Sequence, residues 1–186
     1  MSDVTPRIKL AAASSIAAGV AWFISGPLQL AGINEHETQV VTTGEHILIG
    51  LFSLAMYLTI PAILALGEKA GRVVAARVAA TGVGFVASAA VYSNINGEDA
   101  AWFPAVAIPG NLAWLIGSIV VAFGLNKAGA SKAVAIGMPL TVVLALPLSA
   151  IGGGIIAGAY WIAVGSLLYT GNLFERRSAA APALAA

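Results

Sequence analysis

The sequence predicts an all-α integral membrane protein, folded as a bundle of six transmembrane helices. Two features of composition favour this fold class: 59% of the 186 residues are hydrophobic and only 9% are charged, whereas a soluble domain carries about 25% charged residues. A chain this short has too little interior to bury so much apolar surface, so much of it must face lipid. The third observation is the placement of the basic residues, which fall between alternate apolar segments.

A membrane-spanning helix needs roughly 17–25 mainly apolar residues, and six segments fit that description. They cover about residues 10–31, 46–66, 78–93, 102–125, 133–151 and 154–174. Glycines at 152–154 separate the last two segments, because a tight turn is easiest for glycine. We therefore expect one membrane domain, residues 1–177, followed by a disordered alanine-rich tail, residues 178–186.

The charged residues predict how the helices are oriented. Six crossings would place every basic residue on one side of the membrane: Arg7, Lys9, Lys69, Arg72, Arg77, Lys127, Lys132, Arg176 and Arg177. The charged residues of the opposite loops are all acidic: Glu35, Glu37, Glu45, Glu98 and Asp99. Because cytoplasmic loops attract Lys and Arg, we expect a multi-pass protein of a bacterial cytoplasmic (inner) membrane, with both termini in the cytoplasm.

Several function classes are disfavoured by what the sequence lacks. The formal net charge of +1 gives no sign of a nucleic-acid surface. The absence of cysteine excludes disulfides, thiol catalysis and thiolate metal sites. The middle of each predicted span contains no ionisable residue, whereas proton relays and ion-coupled pumps keep such groups at membrane depth.

Neutral polar and aromatic residues predict a pocket inside the bundle. Asn111 follows Pro109 in the fourth segment, and proline removes a backbone hydrogen bond from a helix. Trp22 and Trp114 lie near the middle of their spans rather than at the interfaces. Together with Asn111 they could wall an apolar pocket, although interhelical packing and hydrogen bonding by these residues is the alternative.

The residues richest in chemistry are predicted to meet at the external face of the bundle. They precede or begin the second helix and end the third: Glu35, His36, Glu37, Glu45, His46, Tyr92 and Asn94. Successive antiparallel helices are usually neighbours, so His46 and Asn94 are expected within reach of each other. The loop above them is longer than most helix connections, and long loops are often functional.

Three chemical interpretations of this cluster remain open. A divalent metal could be held by imidazoles and carboxylates, and the candidate ligands are Glu35, His36, Glu37 and His46. His46 could instead be a single axial haem ligand. In the third interpretation His46 and Glu45, with Tyr92 and Asn94 opposite, form a catalytic acid–base site. The alternative to all three, with no cofactor, is a set of solvated loop charges in which Glu45 interacts with the helix dipole.

Sequence similarities between the two halves predict a 3+3 inverted repeat. Residues 21–24 (Ala-Trp-Phe-Ile) resemble residues 113–116 (Ala-Trp-Leu-Ile), which pairs Trp22 with Trp114. Residues 58–61 likewise resemble residues 144–147, which pairs Pro61 with Pro147. An odd number of spans inverts the second copy in the membrane.

Three functions fit these observations. The first is a membrane-embedded enzyme or binding protein that acts on a lipophilic small molecule at an outward-facing polar site. The second is a transporter or channel for a neutral small solute, and the third is a non-catalytic accessory subunit of a larger membrane complex. The expected partners are the lipid bilayer, the small molecule, and either further copies of the chain or a membrane partner protein.

Overall fold

The structure is a computed structural model that describes residues 5–33, 39–145, 148 and 151–174. Within these ranges the protein is all-helical, as predicted, and contains six helices. They are α1 (Pro6–Leu30), α2 (Thr43–Lys69), α3 (Val73–Asn96), α4 (Phe103–Ala128), α5 (Lys132–Ala145) and α6 (Gly153–Thr170).

Five of the six helices are long and apolar enough to cross a membrane: α1, α2, α3, α4 and α6. Most extend a few residues beyond the predicted apolar segments, because polar flanking residues continue the helical turn. Thr42, for example, caps α2, which begins at Thr43, three residues before the predicted start. The coarse prediction of an apolar helical bundle suited to a membrane is confirmed.

The fifth helix differs from the prediction. Its 14 residues from Lys132 to Ala145 cover about 21 Å at 1.5 Å per residue, less than the roughly 30 Å of a bilayer core. The predicted segment continued to residue 151, and of residues 146–150 only Leu148 is described. Leu146 and Pro147 lie outside the described residues, whereas Ile151 donates its N–H to the Leu148 carbonyl in a turn.

The helices pack in a ring. Each contacts its neighbours along the chain, α6 returns to contact α1, and α2 also contacts α4. Large buried side chains from several helices fill the interior, among them Trp22, Met56, Trp114 and Trp161. The two most extensive helix contacts are α1 with α6 and α3 with α4.

Glycine allows the α3/α4 contact to be close. A Cβ added to Gly82 would lie 2.3 Å from the Gly110 carbonyl oxygen and 2.7 Å from the Trp114 amide nitrogen. Because Cβ atoms essentially never approach other atoms within 3.0 Å, no larger residue fits there without moving a backbone. The crossing therefore depends on the small residues that bring membrane helices together.

The α1/α6 contact repeats this arrangement. A Cβ on Gly158 would lie 2.6 Å from both the Gly19 carbonyl oxygen and the Phe23 amide nitrogen. The contacted amide belongs to the residue four positions after the contacted glycine, as Trp114 follows Gly110 in the α3/α4 contact. Gly158 thus allows α6 to approach α1 closely.

The two ends of the bundle differ in charge, with all the described basic residues at one end, where Glu68 also lies. At one end, here called the acidic end, Glu45, Glu98 and Asp99 lie at or near helix termini. At the other, the basic end, the described Lys and Arg residues lie within about one turn of a helix terminus: Arg7, Lys9, Lys69, Arg72, Arg77, Lys127 and Lys132.

Candidate functional site

A histidine–asparagine pair joins α2 to α3 at the acidic end. The Nδ1 atom of His46 lies 2.8 Å from the Oδ1 atom of Asn94, and both side chains are half-buried. The structure thus brings together the two residues that the order of the helices had suggested would be neighbours. Asn94 also covers Gly50, one turn below His46, since its Nδ2 atom lies 3.5 Å from where a Cβ on Gly50 would be.

Local sequence places both residues at helix ends. Thr42 begins α2 with a capping box, in which its hydroxyl accepts the N–H of Glu45, so His46 falls in the first turn. Gly97 ends α3 with a φ of 74°, a conformation that favours glycine, so Asn94 falls in the last turn. The N–H of Val40 donates to the Gly97 carbonyl at 2.8 Å, which ties the preceding loop to the end of α3.

The hydrogen bond fixes the chemistry of the imidazole. With Oδ1 of Asn94 as the acceptor, His46 donates from Nδ1, and in the neutral tautomer that this bond selects the lone pair is on Nε2. Among the described residues Nε2 has no hydrogen-bond partner. A neutral imidazole held in this way can accept a proton from a bound molecule or ligate a metal ion.

Glu45 is engaged by the loop backbone. Its Oε2 atom accepts N–H groups from Thr42 at 2.6 Å and Val41 at 2.7 Å, and the side chain is buried. This geometry is that of a capping box, in which a carboxylate accepts hydrogen bonds from backbone N–H groups that have no partner within the helix. The contacts of Glu45 thus position the loop beside His46.

Tyr92, another predicted site residue, packs on Trp102 instead of on the histidine. The two rings meet edge to face with centroids 5.1 Å apart, and both side chains are exposed. Between Tyr92 and Asn94, the Ser93 hydroxyl donates to the carboxylate of Asp99. The end of α3 is thereby fixed by contacts with the segment that leads into α4.

The metal hypothesis involves residues outside the described ranges. Glu35, His36 and Glu37 all lie there, and of the four candidate ligands only His46 is described. In the part of the chain that the structure does describe, there is no group of three or more His, Cys, Asp or Glu residues placed to hold a metal ion.

A second polar pair lies below the first on the outer surface of α2 and α3. The Tyr57 hydroxyl is 2.7 Å from the Ser88 hydroxyl, which donates to the Gly84 carbonyl at 2.7 Å. Tyr57 and Ser88 are exposed on the helix surface. Ser88 lies about 9 Å from Asn94 along α3, given 1.5 Å per residue. We call the surface formed by His46, Gly50, Tyr57, Gly84, Ser88 and Asn94 the α2/α3 strip.

The strip has unfilled space at its two glycines. A Cβ on Gly84 would meet only Ile60 Cδ1, at 3.9 Å, and one on Gly50 would meet only Asn94, at 3.5 Å. Both distances are ordinary van der Waals contacts, so these glycines do not serve close helix packing. The strip was not predicted from the sequence. The available signal was the spacing of Tyr57, which is eleven residues, about three helical turns, after His46 and therefore on the same face of α2.

The predicted interior pocket residues occupy the core. Trp22 and Trp114 are buried, and Trp22 packs edge to face on Phe52 with ring centroids 4.7 Å apart. Within the described part of the chain, the indole N–H groups of both tryptophans and of Trp161 are buried without a hydrogen-bond partner, as is Oδ1 of Asn111. Unpaired buried polar atoms are uncommon and mark places where water or a ligand can bind.

The chain matches no protein-family model, no curated protein and no solved structure. The support for the candidate site is therefore the set of contacts described above.

Proposed function

We propose that this protein binds a lipophilic small molecule on the α2/α3 strip and acts on it as a membrane-embedded enzyme or binding protein. The observation that supports this most is the His46–Asn94 hydrogen bond at one end of a strip that continues with two glycines and the Tyr57–Ser88 hydroxyl pair. The imidazole would receive the polar head of the molecule, and the tail would lie over Gly50 and Gly84. Pockets for small molecules commonly combine apolar walls with a few placed polar groups.

The chemistry that fits His46 is proton transfer. Nε2 would accept a proton from a hydroxyl or an activated C–H of the bound molecule, and Asn94 would hold the ring in the required tautomer. The proton would then leave to water at the acidic end. Exposure of the strip to the bilayer lets an apolar substrate arrive laterally from lipid.

The proposed topology places this site outward. In this topology the chain crosses the membrane six times, both termini are cytoplasmic, and the membrane is the cytoplasmic membrane of a bacterial cell. The support is the separation of charge between the acidic and basic ends, as the positive-inside rule requires. Single cysteines replacing Val41 or Glu98 should react with an impermeant maleimide in intact cells, and cysteines replacing Glu68 or Ala128 should not. External labelling at Glu68 would contradict this topology.

A 3+3 inverted repeat is the proposed internal symmetry. Its support is the shared geometry of the two glycine contacts, in which Gly19 and Gly158 correspond to Gly110 and Gly82. This register aligns Trp114 with Phe23, one residue away from the Trp22–Trp114 correspondence suggested by the sequence. Under this repeat, the α1/α6 contact that closes the ring corresponds to the α3/α4 contact between the two halves.

The function is tested by replacing the imidazole. Native mass spectrometry of the purified protein should show a co-extracted lipophilic molecule, and His46→Gln and Asn94→Ala should lose it without loss of monodispersity. Asn96→Ala is the matched control, because Asn96 bonds only the Tyr92 carbonyl of its own turn. Retention of the molecule by both site variants would contradict the proposal.

A transporter for a neutral small solute is the second candidate, favoured by the buried unpaired atoms of α1, α4 and α6. Interior indole N–H groups, the Asn111 oxygen and the Ser118 hydroxyl could hydrogen-bond a solute that crosses the bundle. Uptake into proteoliposomes that follows a solute gradient would favour this function, whereas product formation in detergent would favour the enzyme. Neither activity, with stable co-purification of a membrane protein, would indicate an accessory subunit.

A further inference from the structure

A membrane-facing groove runs along the α3/α4 contact from the basic end. It consists of two adjoining open cavities of about 660 and 500 Å³, which share Val74 and Val78 as lining residues. From Arg72 to Phe85 the groove follows α3 for about 20 Å at 1.5 Å per residue. That length exceeds the roughly 15 Å thickness of one leaflet, half of a bilayer core, so an acyl chain fits within it.

Two arginines are the only charged residues in the groove's lining. Arg72 lies at the inner end of one cavity and Arg77 in the wall of the other. Neither has an ion-pair partner among the described residues, and both side chains are exposed. The remaining lining is almost entirely apolar, mainly valine, alanine and glycine.

Packing holds Arg72 at the seam between the two helices. A Cβ on Gly124 of α4 would lie 2.6 Å from Arg72 Cγ, so the stem of the arginine runs across α4 at that glycine. Arg77 is five residues further along α3, about 7.5 Å along the helix axis. Two guanidinium groups at this spacing can approach one phosphate from two sides, and guanidinium matches phosphate oxygens in bidentate geometry.

We propose that the α3/α4 groove binds an anionic phospholipid of the leaflet that faces Arg72 and Arg77. One acyl chain lies along Val74 and Val78, and the phosphate lies between the guanidinium groups. Basic pockets between membrane helices at the cytoplasmic side recognise anionic headgroups in this way. A second copy of the chain is a poorer occupant, because a symmetric contact here would bring two unpaired arginine pairs together. This site is on a different helix pair and at the opposite end from His46.

The experiment is a titration of the detergent-purified full chain with phosphatidylglycerol, followed by native mass spectrometry. The double variant R72Q/R77Q should bind phosphatidylglycerol about 30-fold more weakly, because each basic residue near an anionic headgroup is worth a factor of about five. The control R7Q/K9Q removes the same charge from the start of α1 and should keep wild-type affinity. Phosphatidylcholine with the same acyl chains should bind weakly to all three proteins.

A groove-filling variant tests the apolar half of the site. Val78→Trp leaves both arginines in place but occupies the wall shared by the two cavities, and should also reduce phosphatidylglycerol binding. Equal loss in R72Q/R77Q and R7Q/K9Q would overturn the proposal in favour of nonspecific surface charge. Unchanged binding in Val78→Trp would overturn it too, as would equal affinity of the wild-type protein for phosphatidylcholine.

Discussion

Two neighbouring glycines of α3 have opposite surroundings. A Cβ on Gly82 would meet the backbone of α4 at 2.3 Å, whereas a Cβ on Gly84 would meet one flexible side-chain atom at 3.9 Å. The first glycine permits a close contact between α3 and α4. The second leaves a notch on the α2/α3 strip, above which His46 and Asn94 are hydrogen-bonded.

This difference separates contacts that hold the bundle together from the surface that we propose receives a molecule. The α1/α6 and α3/α4 contacts are closed by backbone against backbone. Along the α2/α3 strip, side-chain hydrogen bonds link the helices, and the two glycines of the strip leave room for a Cβ. Glycine content alone therefore does not reveal which helix faces pack closely.

The largest expected effect is on stability at the α3/α4 contact. Gly82→Ala should lower the free energy of unfolding in detergent by about 3 kcal/mol, the upper part of the range for overpacking, because its Cβ would meet backbone atoms. Gly84→Ala should raise it by up to about 1 kcal/mol, since alanine is the better helix former. Thermal unfolding of the two variants in the same detergent measures both changes in stability. Equal changes would mean that the surroundings of Gly82 and Gly84 do not differ as described.

The repeat gives a second comparison, between the two closed contacts. Gly158→Ala should destabilise the protein to the same extent as Gly82→Ala, within about 1 kcal/mol, because both Cβ atoms would meet a glycine carbonyl and an amide. Unfolding of the two variants under identical conditions provides the measurement. A difference of several kcal/mol would count against equivalence of the two contacts.

The smallest expected change in stability comes from substitutions at the start of α2. Thr42→Ala should cost about 1 kcal/mol through loss of the N-cap hydrogen bond. Glu45→Gln should change stability little, because glutamine can also complete a capping box. If Glu45 only positions the loop, the glutamine variant will also keep ligand binding, and loss of binding at full stability would indicate that its charge acts at the site.

Sequence patterns were sufficient to locate the helices along the chain. They were not sufficient to predict which helix faces meet. Apolar length and punctuation by glycine and proline located all six helices, because these depend on residues close together in the chain. The pairing of His46 with Asn94 could be anticipated from antiparallel neighbours. The pairing of Tyr57 with Ser88 could not, since it depends on how far each helix is rotated about its axis. For the same reason the sequence does not distinguish Gly82 from Gly84, or show that Arg72 and Arg77 border one groove.

The most direct test of the α2/α3 strip as a binding site is photolabelling in lipid nanodiscs with a diazirine-bearing long-chain alcohol, followed by peptide mapping. The account predicts saturable labelling of α2 and α3 that unlabelled alcohol competes away. Gly84→Leu, which fills the notch, should weaken it by about tenfold, equivalent to roughly 1.4 kcal/mol. Ala13→Leu adds a leucine at an exposed position of α1 and should leave labelling unchanged. Equal labelling of the wild-type protein and Gly84→Leu would contradict the account.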